Sequence, residues 1–340
     1  MDEERDRVDR ALLSVEGLRV GTAEGEILRG IDLEVGRGEV VGLLGESGCG
    51  KTTLALAIAG LLRGGREVTR GRIVFEGETI VSRDTDRTAF RRGSRIGFVP
   101  QDPFSALDPL QRIGPQVARA LRLHRHSSKR HAKHRVIELL DALGMPDPLR
   151  MFEKYPSELS GGQRQRAVIA AALSCEPALV IADEPTSALD VVVQAQVLQA
   201  FLSLTEELRA SVLLVTHDLG VLAETAERTC AIYAGKIVEY GSTRQLLRAP
   251  RHPYVGALLA SLPSLTRHVR RLATIPGQPV NLPGDLAPCA FAPRCEFADS
   301  TCYSIEPQYV WPAASGFACH HPLHREEEQL ARSTVERRQN

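Results

Sequence analysis

From Leu12 to Val41 short apolar runs alternate with glycine and charge, as in LLSVEGLRV and ILRGIDLEV, which predicts antiparallel strands joined by turns. The run EVVGLLG that follows reads as a buried strand broken at Gly45, and KTTLALAIAGLL from Lys51 has the period and length of a helix. Strand, glycine loop and helix therefore succeed one another directly. Between about Pro109 and Tyr155 the pattern is polar and helical, with the basic segment LHRHSSKRHAKHR inside it. ALVIAD and VLLVTHD then return as wholly apolar strands of the kind buried on both faces. The centre reads as an α/β core opened by a small antiparallel β layer and interrupted by a helical insertion.

Beyond Gly241 the texture changes. Prolines at 250, 253, 263, 276, 279, 283, 288 and 293 exclude long helices and central strands, so a second, irregular module is expected there. Met1 to Arg10 alternates acids and arginines as a solvated arm, and the end HREEEQLARSTVERRQN is a charged tail. The expected division is an arm over 1–10, a main α/β domain over 11–245 with its helical subdomain at about 102–168, an extension over 246–323 and a tail over 324–340. The 340 residues fit roughly two domains. Lysine plus arginine number 42 and aspartate plus glutamate 42, so no net charge draws the chain to nucleic acid, and no nucleic-acid partner is expected. The longest nearly apolar stretch, Leu54 to Leu62, is half of what a core of about 30 Å requires, and the first residues lack an apolar signal segment. The cytosol is the expected compartment. Seven cysteines there are too few for a disulfide scaffold, yet four fall between Cys289 and Cys319.

Gly45-Glu46-Ser47-Gly48-Cys49-Gly50-Lys51-Thr52, followed by Thr53, fits the phosphate-loop pattern, in which glycines let backbone N–H groups close around phosphates at a helix N-terminus. Lys51 would reach the β and γ phosphates, and the Thr52 hydroxyl would ligate Mg²⁺. ALVIADE ends a buried strand on two acids: Asp183 can serve the Mg²⁺ shell, and Glu184 can polarise an attacking water. Adjacent carboxylates also occur at surface turns, and His217, at the end of VLLVTH, is weak evidence when taken alone. LSGGQRQR, from Leu159 to Arg166, places two glycines and a serine before a helix, which makes a second anion-binding N-terminus.

With both phosphate-binding ends in one chain, the sequence resembles the nucleotide-binding subunit of ABC transporters, a P-loop NTPase family. The order matches residue by residue: phosphate loop, Gln101 in FVPQDP, the signature LSGGQ with Ser160, Gly161, Gly162 and Gln163, the strand to Asp183, Glu184, the D-loop SALD with Asp190, and the switch His217. The resemblance implies a head-to-tail dimer in which ATP at Lys51 of one subunit is closed by Ser160 and Gly162 of the other. It also implies that Glu184 is the base for water, that His217 contacts the γ phosphate, and that Gln101 senses both Mg²⁺ and the membrane subunit. One position departs from the family pattern. An aromatic residue that stacks on adenine is usual shortly after the first strand, whereas LRVGTAEGE offers Gly21 and Thr22.

Cys289, Cys295, Cys302 and Cys319 are separated by 5, 6 and 16 residues within proline-rich loops. Four thiolates suit zinc or an iron–sulfur cluster, although the paired C-x₂-C of common zinc sites is missing. HPYVGALLASLP, followed by CAFAPRC, TC and ACH, resembles the carboxy-terminal extension of ATPases serving oligopeptide and dipeptide importers. That resemblance implies a [4Fe–4S] cluster here, with zinc as the alternative. It further implies a peripheral position at the cytoplasmic face of the inner membrane, two transmembrane permease subunits, a second ATPase subunit, and an external solute-binding protein that chooses the cargo. Nickel or another small solute is the alternative cargo. A soluble ABC ATPase acting on DNA or ribosomes is a weaker reading, because the chain has one core and no basic stripe. A non-hydrolysing regulatory subunit is opposed by Glu184 and His217. His124, His126, His131 and His134 read as part of a solvated basic face, and Cys49, Cys175 and Cys230 as small buried residues, with Cys49 a candidate for alkylation.

Overall fold

The computed structural model describes residues 11–88, 91–187, 189–261, 274–280, 282–284, 286–308 and 315–323. The arm and the tail lie outside the described residues. Two sheets form the frame. The first joins β1 (Ala11–Thr22), β2 (Gly25–Gly36), β4 (Glu67–Phe75), β5 (Glu78–Ser82) and β6 (Thr85–Asp86), antiparallel throughout in the order β2-β1-β4-β5-β6. The second joins β3 (Val40–Leu44), β7 (Ile96–Val99), β8 (Leu179–Asp183), β9 (Ser211–Thr216), β10 (Arg228–Tyr233), β11 (Lys236–Ser242) and β12 (Gly316–Phe317) in the order β12-β11-β10-β3-β9-β8-β7. Its strands β10, β3, β9, β8 and β7 run parallel, and β11 and β12 close one edge antiparallel.

Every residue of β8 and β9 is buried, as their unbroken apolar runs predict. One apolar cluster fills the space between the two sheets around helix α1 (Lys51–Ile58) and includes Leu13, Leu28, Leu54 and Phe75. The other face of the central sheet carries the helical insertion and α6 (Val191–Glu207). The insertion consists of α2 (Ile113–His124), α3 (Lys129–Ala142), α4 (Pro148–Glu153) and α5 (Gly161–Leu173). Helix α3 starts at Ser128, whose hydroxyl accepts from the His131 N–H at 3.2 Å, and it buries Ala132, Val136, Leu139 and Leu140. His131 and His134 point away from that face, and His134 pairs with Glu138 at 3.0 Å.

Three features differ from the sequence pattern. Helix α1 ends at Ile58 although the apolar run continues to Leu62. Gly60, at φ +64, leads the chain out of the helix and packs against Thr88, where a Cβ would collide. Strands β4 to β6, unforeseen in the periodicity, extend the first sheet with a charged outer face of Glu67, Arg70 and Arg72. Among its described residues the carboxy-terminal module builds no core of its own. Its Tyr254, Val255 and Phe291 belong to the cluster under the central sheet, with the Tyr254 and Phe291 rings centred 4.7 and 5.2 Å from that of Tyr233. Its residues 316–317 are the edge strand β12 itself.

Phe201 of α6 is fully buried in this second cluster. Phe201→Ala is expected to lower unfolding stability by about 3–5 kcal/mol, measured as a shift of the urea midpoint at constant slope.

Candidate functional site

The carboxyl ends of four neighbouring parallel strands converge on one cavity of about 780 Å³. Strand β3 runs into the phosphate loop, in which Gly48 (φ +79) and Gly50 (φ +108) hold backbone angles that suit glycine. Gly50 is the residue from which α1 starts. Lys51 is 5% exposed, and its ammonium donates to the carbonyl oxygens of Gly45 (2.7 Å) and Glu46 (2.8 Å). These acceptors are neutral and do not cancel the lysine charge, which together with the loop's N–H groups favours an anion there.

Asp183 ends β8, 2% exposed. Burial pushes its carboxyl up, and a bond from the Thr52 hydroxyl counteracts this. Its Oδ1 is buried without a hydrogen-bond partner among the described residues. An orphaned carboxylate oxygen beside a threonine hydroxyl at a phosphate loop is the donor set that a hard, oxygen-seeking cation such as Mg²⁺ requires. Glu184, one residue on, sits at φ +46, a left-handed angle that costs about 1–2 kcal/mol in a non-glycine residue. Its N–H donates to the Val215 carbonyl at 2.8 Å, which pins it to β9. The turn throws its carboxylate between Gln101 Nε2 and His217 Nδ1, each 3.1 Å away.

Gly45, Ser47, Gly48, Gly50, Lys51, Thr52, Thr53, Gln101, Glu184 and His217 therefore surround one cavity. Cys49 does not line it. That thiol is 5% exposed and its pKa is pushed up by burial, so the alkylation expected from the sequence is disfavoured. Cys175 and Cys230 are likewise buried. Ser160, Gly161, Gly162, Gln163 and Asp190 are not among the residues around this cavity. Ser160 opens α5 in a reciprocal cap, its hydroxyl accepting from the Gln163 N–H (3.3 Å) while the Gln163 side chain accepts from the Ser160 N–H (3.1 Å). Asp190 caps α6 by accepting from the Val193 N–H at 3.0 Å.

The four clustered cysteines are free thiols. Cys289 N–H donates to the Cys302 carbonyl at 3.0 Å, which joins two of their loops. Burial drives the Cys319 thiol up to about 12, and the proximity of Cys289, Cys295 and Cys302 adds to the shift. Burial also raises the Cys289 and Cys295 thiols, and thiols that resist ionisation in this way would be relieved by a bound cationic centre. Among the described residues, the one trio of potential ligand atoms within 4.8 Å of one another is Asp299, Cys302 and His321.

Sequence reasoning missed the link between this module and the phosphate loop. Arg294, directly before Cys295, has a side chain 5% exposed and makes a two-pronged ion pair with Glu46 at 2.6 and 3.1 Å. It also donates to the Pro276 carbonyl (2.8 Å) and the Tyr233 hydroxyl (3.4 Å), and the pair holds its pKa above the ordinary arginine value. The Glu46 N–H in turn donates to the Tyr254 hydroxyl at 2.8 Å. Glu46 occupies a free position of the phosphate-loop pattern, and Arg294 lies 248 residues away, so neither carried a signal.

A family model for ABC transporters matches residues 28–187, and one for the oligopeptide/dipeptide transporter C-terminal region matches residues 238–302. A Brucella ovis relative is 44% identical over 315 residues, covering 87% of this chain and 92% of its own. The dipeptide transport ATP-binding proteins DppD of Haemophilus influenzae and Bacillus subtilis are 39% and 40% identical, each over 87% of this chain and 90% of theirs. Among solved structures, a dimeric ATP-binding cassette bound to ADP and Pi superposes with a TM-score of 0.60 at 29% identity, covering 68% of this chain and 99% of that one. The cassette cbiO1 of Clostridium perfringens, part of the ABC transporter complex cbiONQ, does so with 0.60 at 28%, covering 70% and 90%. The chain is an ABC-type ATPase, an ATP-binding and ATP-hydrolysing cassette. Within the ABC transporter family it belongs to the branch that carries the oligopeptide/dipeptide transporter C-terminal region. No helix among the described residues is long and apolar enough to cross a membrane.

Arg294→Met strands the Glu46 carboxylate in a partly buried site and is expected to cost about 3–5 kcal/mol of stability. Pairing it with Glu46→Gln should restore part of that loss, and a double-mutant cycle by urea unfolding checks the coupling.

Proposed function

We propose that this chain binds and hydrolyses ATP to energise import of di- and oligopeptides, as one of two cassettes beneath two permease subunits at the cytoplasmic face of the inner membrane. The observation that carries the catalytic reading is Glu184 held between Gln101 and His217 at the mouth of a phosphate loop. The peptide reading is supported by the matched C-terminal region and by the naming of the DppD relatives. In this reading residues 11–245 are the ATPase domain, residues 102–168 its helical subdomain, and residues 246–323 the extension.

The loop N–H groups and Lys51 take the triphosphate. Mg²⁺, held by Thr52, Gln101 and Asp183, would neutralise charge on the β and γ phosphates. Glu184 would accept a proton from the attacking water once its carboxylate turns from Gln101 and His217, and His217 Nε2 would then be free to meet the γ phosphate. Ser160, Gly161, Gly162 and Gln163 would close the nucleotide of the facing cassette. The reciprocal cap uses the Ser160 N–H and the Gln163 N–H, so the intervening N–H groups at the start of α5 stay available to phosphate. Asp190 would then stand at the seam between the two cassettes, next to Val191 and Val192, which are exposed. Phe104 and Leu110, 65% and 85% exposed just beyond Gln101, are suited to meet a permease. An external solute-binding protein would select the cargo.

Cys289, Cys295, Cys302 and Cys319 would hold a [4Fe–4S] cluster as a cross-link for the proline-rich module.

Glu184→Gln is expected to retain Mg-ATP binding and to lose at least about 100-fold in turnover. Wild-type turnover in that variant, measured by phosphate release, would reject the assignment of Glu184 as base. Anaerobic purification should give about four irons and matching sulfide per chain; one zinc and no colour would exclude the cluster.

A further inference from the structure

We propose that the base of the bound nucleotide is gripped by the carboxy-terminal extension of the same chain, in an aliphatic slot formed by Ile27, Leu258, Pro279 and Leu282. The inference rests on the reading of the cavity as an ATP site, and it assigns the half of that site that the phosphate loop leaves open.

Two independent observations carry it. The turn between β1 and β2, over residues 22–25, offers no aromatic ring, and a different segment covers it: a Cβ added at Gly25 would lie 2.9 Å from the Pro283 side chain. The extension is thus packed directly on the turn. The cavity that begins at the phosphate loop is bounded elsewhere by Ile27 of β2, by Leu258 of the helix Pro253–Ala260, and by Pro279 and Leu282. Its polar groups, among them Lys51, Thr52, Gln101 and His217, belong to the core, whereas three of these four aliphatic side chains come from the extension. A polar cradle continuous with an apolar slot is the division a nucleotide presents, with charged phosphates at one end and flat faces of low polarity at the other. The volume of about 780 Å³ lies in the range of roughly 300–1,000 Å³ typical of small-molecule sites.

The slot is also held in register with the loop. Leu258 follows Tyr254 by one helical turn, and Tyr254 accepts the Glu46 N–H of the phosphate loop. Pro279 lies three residues past Pro276, whose carbonyl accepts from Arg294, the partner of Glu46. Two anchors on one loop residue therefore set the distance between the phosphate end and the base end.

The test uses the full chain and two probes, Mg-ATP and Mg-tripolyphosphate, the second of which fills the phosphate loop without a base. Leu258→Ala with Leu282→Ala is expected to weaken ATP binding about tenfold while leaving tripolyphosphate unchanged. Thr22→Tyr added to that pair should recover most of the loss by offering a stacking ring from the turn. Pro279→Asp, at an exposed position where folding is not at risk, should weaken ATP selectively in the same way. ATP affinity unaltered in both the leucine pair and Pro279→Asp overturns the slot, and so does a parallel fall for both probes. A wild-type chain that binds neither probe would instead reject the ATP site itself.

Discussion

The ion pair between Arg294 and Glu46 is the constraint on which the arrangement of this molecule turns. Glu46 is a residue of the phosphate loop, and Arg294 adjoins Cys295 in the extension, so one buried contact joins the nucleotide-binding backbone to the four-cysteine module. A buried guanidinium is tolerable only when its donors are satisfied. Here a carboxylate, a carbonyl and a phenol share them. Either charge without the other would be costly, which makes loop and extension mutually dependent.

Around that contact the fold divides its labour by strand direction. Parallel strands deliver Lys51, Gln101, Asp183, Glu184 and His217 to one rim, because each strand ends at the same side of the sheet. The antiparallel edge, β11 and β12, does the opposite and turns the chain back across the sheet. That reversal lets a segment hundreds of residues downstream lie beside the phosphate loop.

Much of the site was legible because its chemistry is written in backbone requirements. Glycines at 48 and 50 are needed for positive φ, and the apolar runs ending at Asp183 and Thr216 announce strands buried on both faces. The start of α5 was equally readable, since a serine and two glycines stand at the head of its helical run. Side-chain partnerships over long separations were not. Nothing local marks Glu46 as an acceptor for Arg294, nor Pro283 as the cover of the Gly25 turn. The length of α1 was overestimated because Gly60 ends it through a contact with Thr88, a tertiary cause that periodicity does not carry. Strands β4 to β6 were missed because glycine and charge on their outer face break the alternation.

The 248-residue separation of Glu46 from Arg294 has a meaning in time as well as in space. A ribosome adding about 5–20 residues per second needs roughly 12–50 s to travel from one to the other. During that interval the nascent chain already possesses its glycine loop and Lys51 but not the guanidinium that fixes the loop from beneath. The cassette thus reaches its finished phosphate site only when the cysteine-bearing segment has emerged and closed on the sheet.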